Sequence, residues 1–385
     1  MTLAPTLDET RRVTRVPRDR RGSWIPTAGM IRTRFMELSK RRGVMAALIG
    51  VTIGIPTVFL VTRLVLHAIA PNTYGPAGGY NIFSGLVAGV LYVFGFIVAA
   101  TLGCTAGAVD LTEGMFRHLV VTGRSRLALY FARIPAGLAI VVPLVAIGYT
   151  IVCGICVLAA PTTLKYGGTS VPAGLSRSGL ETWAAGHAQA VICNFPTDGP
   201  IIVNVPCTSQ GSGGPNPEGP TGQSITKTPP VSPRTLTPAQ LKAEAVAIAD
   251  HDYADYSRLF LRPPTSLMIR AGLWIELEVV IGFIVGLGLA SVLGQRTVAV
   301  VMMILLEIIL TPIVARAHIP HFANVQRAVV GLATAHLEPR ALPLALGGTR
   351  VDLLSESTTV AVCVIAAWLI GWTALGAWRM ATRDA

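Results

Sequence analysis

The chain has 385 residues, 52% of them apolar and only 13% charged, with 31 Lys and Arg against 20 Asp and Glu for a formal net charge of +11. A soluble average carries about 25% charged residues, so this composition, with a mean hydropathy of +0.59, excludes an ordinary water-soluble globule and predicts a chain solvated by lipid. Basic residues bordering the apolar runs and facing anionic lipid account for the positive balance, which therefore does not call for a nucleic-acid partner.

Residues 1–43 form a basic leader with Arg11, Arg12, Arg15, Arg18, Arg20, Arg21, Arg32, Arg34, Lys40, Arg41 and Arg42, and with an amphipathic, interfacial segment GMIRTRFMELSKRRG. No stretch of it resembles a cleavable secretory signal, because the first apolar run begins only near residue 44 and is long enough to span. A membrane-crossing helix needs about 20 apolar residues. Six runs qualify, at 44–68, 82–107, 127–159, 267–293, 297–317 and 358–378. The third is long enough to tilt or to project from the bilayer. Long runs rather than short alternating segments point to helices and not a β-barrel. The expected fold is an all-α membrane protein with six transmembrane helices, a cytoplasmic coupling helix at 110–123 and a long extracytoplasmic loop between helices 3 and 4. Its parts are 44–159 with helices 1–3, the 160–266 loop, and 267–385 with helices 4–6.

The basic leader places the amino terminus in the cytoplasm. Six crossings return the ending AWRMATRDA to the same side, together with Arg117, Arg124 and Arg126 after the second run and the GQRT turn at 294–297. The 160–266 loop then lies outside. Its centre, SQGSGGPNPEGPTGQSITKTPPVSPR, has the composition of a disordered segment. GLETWAAGHAQAVICNF and TPAQLKAEAVAIADHDYADYSRLF have helical spacing, the second with Thr235 or Thr237 as the cap of a helix starting near Pro238. Cys193 and Cys207 are the cysteines of this loop. A disulfide between them would contribute roughly 2–3 kcal/mol; the alternative is two free thiols. Cys153 and Cys156 have a C-x-x-C spacing, but inside an apolar run they read as packing residues.

In the fourth run, GLWIELEVVIGF carries Glu276 and Glu278, and Glu307 lies near the middle of the fifth. A charge at the bilayer centre costs about 2.5–3.5 kcal/mol on insertion scales. These carboxylates either line a polar substrate path or a proton site, or pair with Arg63 or Arg270. The small residues of GFIVGLGLASVLG suit close helix packing. In the last outside loop, 318–357, apolar stretches broken by Pro339, Pro343 and paired glycines are too short to cross. They read as interfacial or re-entrant half-helices buried against protein. His318 and His321 lack carboxylate or thiolate neighbours in sequence and read as structural, so no metal site is expected.

Between the second and third runs stands DLTEGMFRHLVVTGRSRL. Met115, Phe116, Leu119 and Val120 share one helical face, with Arg117, His118 and Thr122 to the other side. Glu113 and Arg117 form an i, i+4 pair, Gly123 suits a left-handed end, and Ser125 is placed to cap the next helix. The stretch EGMFRHLVVTGRSRLALYFARI resembles the signature of ABC-2 type transporter permeases: a Glu-Gly pair, a basic leucine-rich stretch, then Ser-Arg and a span opening with a basic residue. The ending GAWRMATRDA, the six spans, the basic amphipathic leader and the broken loop before the last span are similar to that family as well. Met115, Gly123-Arg124 and the long 160–266 loop depart from it.

The resemblance implies a bacterial plasma-membrane permease subunit with both termini cytoplasmic. It would form the substrate path of an exporter as a dimer, with a second copy or a homologous permease. It would be driven by a separate ATP-binding subunit that holds ATP and Mg, with Glu113, Gly114, Arg117, Ser125 and Arg126 as the coupling residues. No G-x-x-x-x-G-K-[ST] phosphate loop occurs in the chain itself, and no nucleophile, metal cluster or HExxH spacing marks an enzyme. An ion- or proton-coupled secondary transporter is the alternative, kept open by the intramembrane carboxylates.

Overall fold

A computed structural model of the chain describes residues 24–70, 74, 77–112, 125–161, 163–166, 169–172, 174–194, 237–251, 253–254, 256, 262–316, 323–339, 342 and 357–382. Six of its helices are long and apolar enough to cross a membrane: Arg42–Ile69, Tyr80–Val109, Arg126–Leu158, Thr265–Leu293, Arg296–Val314 and Thr358–Thr382. They coincide with the six apolar runs of the sequence to within a few residues, and the chain is an all-α multi-pass membrane protein. Alternation along the chain puts the starts of spans one, three and five and the ends of spans two, four and six on one face, the amino-terminal face. The opposite ends form the distal face.

The fourth span is the axis of the bundle and the most enclosed of the six. It meets the second span backbone to backbone, because glycines on both helices leave no Cβ in the way. A Cβ at Gly286 would lie 2.7 Å from the Ala100 carbonyl oxygen, and one at Gly107 would lie 2.5 Å from that of Leu287. On another side, a Cβ at Gly288 would lie 2.5 Å from the Trp372 carbonyl oxygen of the sixth span. The span ends at Gly294, whose left-handed φ of 72° lets the chain turn into the fifth span while its N–H bonds the Ala290 carbonyl at 2.8 Å.

Three spans widen for one turn into π-helix, at Gly50–Gly54, Val87–Tyr92 and Leu305–Leu310. In the first and fifth spans a proline follows closely, Pro56 and Pro312. A proline has no N–H to give and its ring crowds the carbonyl four residues back, and the wide turn relieves that crowding. The carbonyl so freed by Pro56 is that of Thr52, and Gly148 of the third span packs against it. The third span breaks near its start, at Ala132, three residues before Pro135, and carries Pro143 inside its main helix Arg133–Leu158.

Ahead of the first span, the helix Ala28–Ser39 lies along the start of the third. Met30 is buried among Ala128, Leu129 and Ala132, and Trp24 meets Phe131 edge-on at 5.9 Å. Phe35 and Met36 stay exposed, giving the helix a second, outward apolar surface.

On the distal face, the residues between the third and fourth spans build a small separate core. A hairpin, Thr163–Tyr166 against Thr169–Pro172, runs antiparallel with Lys165 opposite Ser170. The helices Arg177–Gly186, Ala188–Asn194 and Pro238–His251 enclose Leu180, Ala184, Val191, Ala245 and Ile248. Ser176 caps the first helix by accepting from Gly179 N–H at 3.1 Å. At the start of Pro238–His251, the Thr237 N–H donates to Gln240 Oε1 at 2.9 Å and Gln240 N–H reaches the Thr237 hydroxyl at 3.4 Å, a reciprocal cap. Tyr256 ties this core to the hairpin, donating to the Pro172 carbonyl at 2.5 Å and accepting from Leu175 N–H at 3.1 Å. Arg177 pairs with Asp250, and that guanidinium holds the Asp250 carboxyl below its usual range.

Candidate functional site

Of the residues that the sequence singles out for coupling, Glu113, Gly114 and Arg117 lie outside the described residues. Ser125 and Arg126 are described. Ser125 is the residue before the first helical turn of the third span, with extended backbone, and its side chain makes no capping hydrogen bond. Arg126 Nη1 donates to the Ala381 carbonyl at 3.3 Å, so the start of the third span is tied to the end of the sixth. Seven residues on, Arg133 is only 2% exposed, and its Nη1 donates to the Gly107 carbonyl at 3.2 Å, near the end of the second span. A buried guanidinium at the carbonyl end of a helix meets both its hydrogen-bond need and the local negative potential. The start of the third span is thus bound to the second span, the sixth span and the helix Ala28–Ser39.

A second cluster lies in mid-membrane. Glu278 stands half-way along the 29-residue fourth span and is 2% exposed; Glu307 lies within the π turn of the fifth span and is 6% exposed. Trp274 and Glu278, four residues apart, share one helical face, whereas Glu276 is turned away from it. Across the interface, Tyr92 at the end of the second span's π turn stacks on Trp274, with ring centroids 4.8 Å apart and planes 23° from parallel. Tyr92 lies within electrostatic reach of Glu278, Glu307 and Glu338 together.

The fourth wall is a short helix, Val330–Leu337, preceded by Ala323–Arg327. Neither is long enough to cross, and residues 330–334 are buried against the bundle. Tryptophans meet backbone carbonyls of this segment: Trp274 Nε1 donates to Thr334 O of the helix at 3.1 Å, and Trp368 Nε1 donates to Ala328 O in the turn before it at 2.8 Å. Gln326 Nε2 similarly donates to Val314 O at 2.8 Å. This is what a broken segment inside a membrane requires. Gly331 abuts the Glu307 carboxyl so closely that a Cβ there would lie 2.5 Å from Oε1.

Most of the carboxyl oxygens are left without partners, although Thr334 hydrogen-bonds Glu278. Both oxygens of Glu307, Oε1 of Glu278 and both oxygens of Glu276 are buried with no hydrogen bond. The hydroxyls of Tyr92 and Thr311 lie beside Glu307, but the Thr311 hydroxyl donates to the Leu306 carbonyl at 3.0 Å and neither completes a bond to the carboxyl. Neither Arg63 nor Arg270 pairs with any of the three, and the groups acting on Glu278, namely Glu307, Thr334 and Glu338, bring no positive charge.

The three glutamates stand out in the sequence; Tyr92, Trp274, Gly331 and Thr334 do not. An aromatic or a glycine in an apolar run carries no mark of the carboxylate it will face. Arg133 was legible in principle as a basic residue near the start of an apolar run. Cys193 belongs to the helix Ala188–Asn194, but its side chain and Cys207 lie outside the described residues. Cys153 and Cys156 are free thiols, with Cys156 in the main core, in keeping with a packing role. No group of three or more His, Cys, Asp or Glu side chains is placed to hold a metal ion among the described residues. Comparison with known proteins finds no counterpart: no family model matches the chain, and no curated protein and no solved structure is significantly similar to it.

Proposed function

We propose that the chain is the membrane-spanning permease subunit of an ATP-driven exporter of the ABC-2 type. It works as a dimer in a bacterial plasma membrane, with its termini in the cytoplasm and a separate subunit binding ATP and Mg. Glu113, Gly114, Arg117, Ser125 and Arg126 form the docking point for that subunit. The observation that supports this reading best is the set of ties around the start of the third span. The segment that resembles the family signature leads straight into it, and Arg126, Arg133 and Met30 bind that start to the sixth span, the second span and the Ala28–Ser39 helix. A push on such a junction moves several helices together, as coupling to a nucleotide-driven partner requires.

The test is purification of the tagged full chain from its native membrane. An ATP-binding subunit is expected to co-purify, and Glu113→Ala and Arg117→Ala are expected to lose that partner or its ATPase response while still inserting and folding. If no nucleotide-binding protein follows the chain, and activity is sensitive only at the apolar positions Phe116 and Leu119, the reading is wrong. A second reading, an ion- or proton-coupled secondary transporter, is favoured by Glu278 and Glu307, buried with no positive partner. It requires transport that persists without ATP and follows an ion gradient.

A further inference from the structure

Glu278 and Glu307 are more than nine-tenths buried, half-way through the membrane, and three of their four oxygens are buried with nothing to bond. A carboxylate in that position costs several kcal/mol unless a positive group offsets it. The described neighbours supply none: span two offers Tyr92, span five Thr311, and the short helix region Thr334 and a further carboxylate, Glu338. The site therefore lacks the positive group that would let the pair ionise, and a bound cation would supply it. What stands beside it is equally specific, the ring pair Tyr92 and Trp274, stacked on each other so that each keeps one face for another partner. Aromatic faces attract cations, most strongly where water is excluded.

We propose that the carboxyl pair Glu278 and Glu307, with the Tyr92–Trp274 ring pair, is the recognition site for a lipophilic organic cation, an amine or onium compound carried as substrate. This proposal rests on the transport reading above and names the substrate class for it. A hard metal ion fits poorly. Calcium takes about six to eight oxygen ligands and magnesium about six, whereas no group of three acidic or imidazole side chains converges among the described residues. A bulky, weakly hydrated cation needs only diffuse negative charge and aromatic surface. Two features aim the site. Tyr92 and Glu307 both lie in π turns, which break the regular ladder and redirect side chains. Gly331 brings the short helix Val330–Leu337 down onto Glu307, so this helix covers the site from the distal side and must shift for a ligand to pass that way.

Equilibrium dialysis of the purified full-length chain in nanodiscs, without any ATPase subunit, tests the proposal. The probes are tetraphenylphosphonium and the neutral triphenylphosphine oxide. Wild type is expected to bind the cation at least tenfold more tightly than the neutral compound. Glu278→Gln or Glu307→Gln should each weaken cation binding at least tenfold, and Glu276→Gln less than twofold. Glutamine keeps the shape and removes the ionisable group, so these variants should fold; their ligand-free unfolding curves check this. Equal binding of the two probes, undiminished binding in both Gln variants, or an equal loss in Glu276→Gln overturns the proposal. So does a pH dependence of unfolding that the Gln variants alter with no change in phosphonium binding, since the carboxyls would then hold only protons. Because the assay contains no ATPase, its failure leaves the co-purification result intact, and the reverse holds too.

Discussion

At Gly331 a missing carbon lets the short helix Val330–Leu337 lie against the Glu307 carboxyl. A Cβ there would lie 2.5 Å from one Glu307 carboxyl oxygen and 2.8 Å from the Thr311 methyl carbon, so alanine fits only if those two side chains shift. Gly331→Ala is expected to lower stability by about 1 kcal/mol, the low end of the usual cost of overpacking, because the two side-chain ends in its way can move. Gly154, with nothing within 4 Å of its Cβ position, is the control: Gly154→Ala should be neutral or stabilising by up to about 1 kcal/mol, because alanine is the better helix former. Thermal unfolding of the two purified variants measures the difference. At this scale the sequence was informative about charge and silent about neighbours. Glu278 and Glu307 stand out because a carboxylate in an apolar run is costly. Tyr92, Gly331 and Thr334 do not, because their meaning comes from a side chain on another helix.

Among the elements, the six spans were readable from length and hydropathy alone. The deformations within them were readable only in part. Pro56 and Pro312 announce an irregular helix, but the π turn at Val87–Tyr92 is followed by no proline and has no such mark. The helix Ala28–Ser39 was visible as an amphipathic segment, yet its attachment was not, since Phe35 and Met36 are as apolar as the Met30 that docks. That attachment is testable. Met30→Ala empties a buried contact with Ala128, Leu129 and Ala132, at a cost of about 2 kcal/mol or more. Since about 1.4 kcal/mol is a factor of ten in an equilibrium, amide exchange across residues 28–39 should quicken by about tenfold or more through local opening. Exchange in the fourth span should not change. Equal exchange in wild type and variant would show that the lipid surface, not the third span, holds this helix.

For the whole molecule, the expected orientation rests on basic residues rather than on packing, and it has its own test. In a cysteine-free background, Ala28→Cys on the amino-terminal face should stay unlabelled by an impermeant thiol reagent in intact cells, and Ser178→Cys in the distal core should react. Labelling of both, or of Ala28→Cys alone, rejects the expected topology. Both positions are exposed in the fold, so burial does not confound the result.

Sequence alone determined that the chain is helical, has six runs long and apolar enough to cross a membrane and carries carboxylates within two of them. Each of these follows from local quantities, the length of an apolar run or the solvation cost of one side chain, and needs no knowledge of neighbours. The tertiary structure decided which glycines let the second and fourth spans touch. It decided that Arg133 answers the end of the second span. It also decided that Glu278, Glu307, Tyr92 and Trp274 meet under the short helix Val330–Leu337. Those outcomes depend on contacts between residues far apart in sequence. In an apolar solvent nearly every face of a span is apolar, so periodicity no longer says which face turns inward.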